Sequence, residues 1–207
     1  MERWVCFSLI ILKRNKNRKQ MKEYKFRKFG GSLIADVGAY LRDYLIKNPN
    51  ISIYVGTDSD NKRSKTVYAS VIALYDLDRR DGVHYIFCRD KTPKENVIFN
   101  RMLNEVQRSI DLADYLEIEL EGFVKRISSE DVSKMRDENN NLYQSHQTKL
   151  CVIDVDINPL DGNGHNKSHK AFDAARSWIV GSGYRCRFKP YSWSANCAAD
   201  LMCKRSF

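Results

Sequence analysis

A chain of 207 residues with 43% hydrophobic, 29% charged and 11% aromatic side chains can bury one ordinary core, and its 10 Gly and 4 Pro exclude a collagen-like or low-complexity polymer. The net charge of +9 points towards a polyanionic partner, but it is unevenly spread. Residues 1–30 hold 10 Lys/Arg against 2 Asp/Glu, residues 31–175 hold 19 against 23, and residues 176–207 hold 6 against 1. Two basic ends therefore flank a mildly acidic middle.

The apolar run over residues 4–12 is far shorter than the ~20 residues of a membrane helix. Its basic residues mostly follow it and no small-residue cleavage site is present, so it reads neither as a membrane span nor as a signal peptide. Residues 1–20 are read as a basic extension, with translation expected to start at Met21 and to leave a net charge of +4. Residues 21–207 then form a single domain, expected in the cytoplasm. Leu33, Ile34, Val37, Leu41 and Leu45 fall at helical spacing and predict a helix over 33–46, stopped by Pro49 and Asn50. Alternation predicts a strand over 51–56, a polar turn over 60–65, a β-branched strand over 66–77, a turn over 78–82 and a strand over 83–88. These three make an antiparallel meander.

Apolar residues at 99, 103, 106, 110, 113 and 116 predict a long amphipathic helix over 94–120. A polar insert over about 126–148 precedes a buried strand over 150–157, a Gly/Asn loop over 161–168 and a helix over 171–180. A fifth strand over 184–189 is broken by Pro190, and a helix over 192–204 closes the chain. The fold class is α/β: a mixed five-stranded sheet, the meander plus two further strands, flanked by helices. Six cysteines without a CxxC pair read as free thiols, and His165 with His169 lacks the cysteines of a zinc site.

Four acidic residues stand in places where a carboxylate is costly. Asp58 follows the first strand in Gly56-Thr57-Asp58-Ser59-Asp60, Glu105 borders the buried stripe of the long helix, Asp156 closes the fourth strand, and Asp200 sits among Ala198, Ala199, Leu201 and Met202. Asp154 shares a strand face with Asp156. Singly, each has a local explanation: a turn cap for Asp58, an Asx-turn for Asp156, a pair with Lys204 or Arg205 for Asp200. Together, carboxylates without bases call for a divalent cation, and oxygen-only donors suit Mg²⁺ or Mn²⁺. Two such ions are the usual apparatus for phosphodiester hydrolysis.

With these residues in this order, the chain resembles the ribonuclease H-like fold, and more narrowly the YkuK-type family of RNase H-related nucleases. The likeness rests on Ile53-Tyr54-Val55-Gly56-Thr57-Asp58-Ser59, Glu105 with Ser109, Ile153-Asp154-Val155-Asp156-Ile157-Asn158, Lys189-Pro190, and Ala198-Ala199-Asp200. The resemblance implies a metal-dependent nuclease in which Asp58, Glu105, Asp156 and Asp200 hold two Mg²⁺ or Mn²⁺ ions, with Asp154 and Asp60 as secondary ligands. Its substrate would be nucleic acid, RNA, DNA or hybrid, with no membrane partner. Asp60 stands where an amide is usual and Tyr191 where an acid is expected, two departures from the family pattern. For substrate contacts, Lys189, Arg185 and Arg187 are the basic candidates of the carboxy-terminal segment, His165 and Lys167 those of the loop after strand four. Tyr191 and Trp193 could stack on bases. The alternative is a catalytically inactive RNase H-like module that binds nucleic acid or protein, and the two differ in whether the four carboxyl groups converge or a basic side chain fills the space.

Overall fold

Side-chain alternation along two long central strands sets the architecture. The computed structural model describes residues 24–48, 51–75, 82–120, 150–159 and 168–205. Six strands form one mixed sheet among them: β1 (Arg27–Lys28), β2 (Ser52–Asn61), β3 (Lys65–Tyr75), β4 (His84–Pro93), β5 (Cys151–Val155) and β6 (Arg185–Phe188). Their order across the sheet is β1-β4-β3-β2-β5-β6. The antiparallel meander is β2, β3 and β4, whereas β5 runs parallel to β2 and β6 parallel to β5.

Ile53 and Val55 of β2 enter one core with Ile72 and Leu74 of β3, while Tyr54 enters a second core with Ala69, Val71 and Ala73. This period of two gives the sheet two apolar faces. Helices α1 (Val37–Lys47), α2 (Ile98–Glu119) and α3 (Phe172–Gly181) cover the first face, through Leu41, Leu45, Ile110, Leu116, Ala175 and Ile179 among others. The carboxy-terminal segment covers the second face. It begins as a π-wound stretch, Ser194–Ala199, and continues as α4 (Asp200–Lys204), burying Ala198, Ala199, Met202 and Cys203.

Several expectations need correction. The sheet has six strands rather than five, because β1 is two exposed residues, too short to show alternation, paired with Phe87 and Ile86. Helix α1 starts at Val37 rather than at residue 33, since the Asp36 carboxylate accepts a hydrogen bond from the Ala39 amide at 2.8 Å and caps it there. Strand β2 runs on to Asn61, with Asp60 and Asn61 paired to Val67 and Thr66, so Asp58 lies within the strand instead of after it. Strand β4 runs on to Pro93, α2 begins at Ile98 with Phe99 exposed, and β5 stops at Val155. The closing helix is not regular throughout, for its first part is π-wound. The extension over 1–20, the insert over 126–148, and His165 and Lys167 lie outside the described residues. The described cysteines, Cys88, Cys151, Cys186, Cys197 and Cys203, are free thiols. No helix among the described residues is long and apolar enough to cross a membrane.

The second layer is held close at one point. A Cβ on Gly56 would lie 2.6 Å from the Ala195 amide nitrogen and 2.8 Å from the Ser194 carbonyl carbon. Backbone cannot yield as a side-chain tip can. Gly56→Ala is therefore expected to lift the carboxy-terminal segment and cost about 1–3 kcal/mol. A urea midpoint unchanged from wild type would refute this close approach.

Candidate active site

Strand register assembles the first part of the site. Gly56 of β2 pairs with Asp154 of β5, which pairs with Arg187 of β6. Two residues further along these parallel strands come Asp58, Asp156 and Lys189, which therefore stand level at the carboxyl ends of β5 and β6 and within β2. Open α/β sheets characteristically bind ligands at such strand ends. The Lys189 ammonium lies 2.6 Å from Asp156 Oδ1, a charge contact that falls short of hydrogen-bond geometry.

Glu105 arrives from α2, where the helix meets β2 through hydroxyl groups instead of hydrocarbon. Ser59 Oγ donates to Glu105 Oε1 at 2.5 Å. One turn later, Ser109 Oγ hydrogen-bonds the Glu105 carbonyl oxygen and Thr57 Oγ1, both at 3.0 Å, and Thr57 shares a further bond with Ser70 at 2.9 Å. Asp200 comes from the opposite layer at the start of α4, and its carboxylate acts on Asp58. Cys203 Sγ, on the same helix, donates to the Asp58 carbonyl oxygen at 2.9 Å.

Only 7% of Asp58 and 2% of Glu105 is exposed. Burial pushes the Asp58 carboxyl up to about 7, and the Asp156 and Asp200 carboxylates push it the same way against the pull of the Ser59 amide. Glu105 lies well above the usual carboxylate range, first through burial and then through Asp58, with Ser59 and Arg101 opposing. The four acids thus act on one another. Because both folded-state values lie above the unfolded ones, ionising them opposes folding. Stability from these groups is complete below about pH 4 and is lost as the pH rises through about 7 for Asp58. Urea titrations of the metal-free protein should show a falling unfolding free energy across that window. A flat or rising profile would contradict it.

The remaining candidates separate clearly. Asp154, expected beside Asp156, is turned to another task. Arg187 holds it with Nε on Oδ1 at 2.7 Å and a terminal nitrogen on Oδ2 at 2.9 Å, and Ser194 donates to Oδ2 from both its amide (2.9 Å) and its hydroxyl (2.7 Å). Arg187 also donates to the Tyr75 hydroxyl at 3.0 Å and covers the Tyr54 ring at 3.9 Å, so its fork is committed inside the protein. Arg185, at 2% exposure, is buried, and the half-buried Arg187 is held by these internal partners. Asp60 pairs with Lys62. Lys204 chelates Asp200 at 2.6 and 2.8 Å, the local pairing that its position four residues on allows. Tyr191 is exposed, while Trp193 packs edge-on against Tyr85.

Arg101 lies outside the expected site, and Ser59 and Ser109, which stand in the quoted motifs, carry no assigned role there. A serine directly after a strand aspartate carries no signal by itself, but Ser109 and Arg101 stand one helical turn on either side of Glu105. Cys197 also borders the acids, and burial followed by the Asp156 and Asp200 carboxylates pushes its thiol up.

The donor chemistry fits a hard divalent cation, since carboxylates that raise one another's proton affinity are relieved by positive charge. Among the described residues, however, no three His, Cys, Asp or Glu side chains form a ready-made coordination group, and lysines neutralise Asp156 and Asp200. The family model described as Ribonuclease H-like matches residues 34–204. No curated protein and no solved structure matches the chain.

Proposed function

The chain belongs to the ribonuclease H-like family, and on that premise we propose that it is a divalent-metal-dependent nuclease hydrolysing phosphodiester bonds of nucleic acid, of the YkuK type. The carrying observation is the mutual action of Asp58 within β2, Asp156 just past the end of β5, and the helix-borne Glu105 and Asp200. These four would hold Mg²⁺ or Mn²⁺, with Asp58 central. Once bound, the cation would supply an activated water and charge stabilisation for the leaving oxygen, giving 5′-phosphate and 3′-hydroxyl ends. The protein's own contribution is positioning. Ser59 aims the Glu105 carboxylate, and burial of Asp58 and Glu105 keeps the field strong. The Asp154–Arg187–Ser194 contacts tie the start of the Asp200-bearing segment to the sheet.

The test is cleavage of RNA–DNA hybrid, single-stranded and branched substrates with Mg²⁺ or Mn²⁺, for wild type and for Asp58→Ala and Asp200→Ala. Metal-dependent cleavage lost in both variants supports the reading, and an inert wild type opposes it. The Lys189–Asp156 and Lys204–Asp200 pairs favour one rival, a catalytically silent nucleic-acid-binding module of the same fold. That rival predicts nucleic-acid binding indifferent to Mg²⁺.

A further inference from the structure

Three basic side chains of the last quarter of the chain meet carboxylates near the site, and they do so in different ways. Arg187 grips Asp154 with two parallel bonds, and its guanidinium is pinned further by Tyr75 and Tyr54. Such a planar fork, half-buried and bonded on several sides, is a fixed structural element. Lys189 and Lys204 differ in every respect. Their side chains are 42% and 61% exposed, each ends in a compact ammonium on a flexible stem, and the Lys189 contact lacks hydrogen-bond geometry. Their partners are Asp156 and Asp200, the two more exposed members of the acidic group, and Asp58 and Asp60 also act on the Lys204 ammonium.

We propose that Lys189 and Lys204 are exchangeable counter-ions, which neutralise Asp156 and Asp200 in the cation-free protein, are displaced when a divalent cation binds, and then face the phosphates of the substrate. This rests on the proposed metal-dependent function. Charge balance supports it: ammonium groups and divalent cations cannot share the same carboxylate oxygens without repulsion, and exposed pairs of this kind are weak enough to exchange. Solvent-exposed stems let the heads move by several ångströms without disturbing the core. A released ammonium beside the strand ends adds a phosphate contact at the place where hydrolysis would occur. The two roles are therefore linked, because the same lysines oppose cation binding and favour substrate binding once the cation is in place.

Calorimetric titration with Mg²⁺ alone, for wild type, Lys189→Met, Lys204→Met and the double variant, tests the first role. Each substitution is expected to tighten Mg²⁺ binding about three- to tenfold. Unchanged or weaker binding in the variants, with wild type still binding Mg²⁺, overturns the inference and leaves the proposed function standing. No binding by any of the four proteins overturns the metal-dependent function itself. Titration of a nuclease-resistant phosphorothioate oligonucleotide at several salt concentrations tests the second role. With Mg²⁺ present, the double variant should lose about two from the slope of log affinity against log salt, and without Mg²⁺ the two slopes should coincide. Equal slopes with Mg²⁺ present would overturn the release of the lysines to phosphate.

Discussion

Asp58→Asn is expected to remove the proposed Mg²⁺-dependent cleavage, by about 10³-fold or more, while making the metal-free protein more stable at pH 8. Both effects follow from one property of the site. The Asp58 carboxyl is buried beside Glu105, Asp156 and Asp200, and its folded-state value is about 7 where an unfolded aspartate titrates near 4. At pH 8 the native protein must hold this group ionised in a place that favours its neutral form, at a cost on the order of 4 kcal/mol. Asparagine has the same shape without the charge, so much of that cost disappears at pH 8. At pH 5 the native carboxyl is already protonated and the substitution changes little. A bound cation relieves the same strain in the wild type, so Mg²⁺ should raise its melting temperature more at pH 8 than at pH 5. The asparagine variant should respond weakly at both. Retained cleavage, or equal destabilisation at pH 5 and pH 8, would show that Asp58 is an ordinary buried carboxylate and not the centre of a cation site.

The sequence exposes the acids of this site more readily than their partners, and the reason lies in the range of each interaction. Asp58, Glu105 and Asp200 are conspicuous because a charge interrupts an apolar pattern within a few residues. The core faces of β2, β3 and α2 follow from local periodicity in the same way. Strand β1 has no period to detect, being two residues long and exposed. Lys204 is visible as a partner for Asp200 because four residues make one helical turn. Lys189 and Asp156 meet only through sheet register, which the spacing along the chain does not reveal. Arg187 shows how composition misleads: a basic strand residue near the carboxyl terminus reads as a phosphate contact until register sets Asp154 opposite it. Gly56 is equally silent, since its role depends on a backbone segment at Ser194 and Ala195. The π-wound turn has no local signature at all.

Asp154→Ala separates a structural carboxylate from a ligating one. Asp154 is fully buried, and its two oxygens satisfy Arg187, the Ser194 amide and the Ser194 hydroxyl. Removing it strands a largely buried guanidinium and frees the first turn of the segment that leads to Asp200. Breaking a buried pair from one side costs about 3–5 kcal/mol, the largest stability loss expected for any single substitution considered, and it should appear as a lowered denaturation midpoint. Mg²⁺ affinity should fall with it, because Asp200 loses its support. A second substitution, Arg187→Met, then decides the cause. If Asp154 acts by holding Arg187 and Ser194, removing the stranded charge recovers part of the lost stability, and some Mg²⁺ affinity returns as the segment settles back on the sheet. If Asp154 were itself a cation ligand, as its place beside Asp156 on the strand suggests, the second substitution would restore stability without restoring Mg²⁺ binding. The committed geometry of Arg187 favours the first outcome.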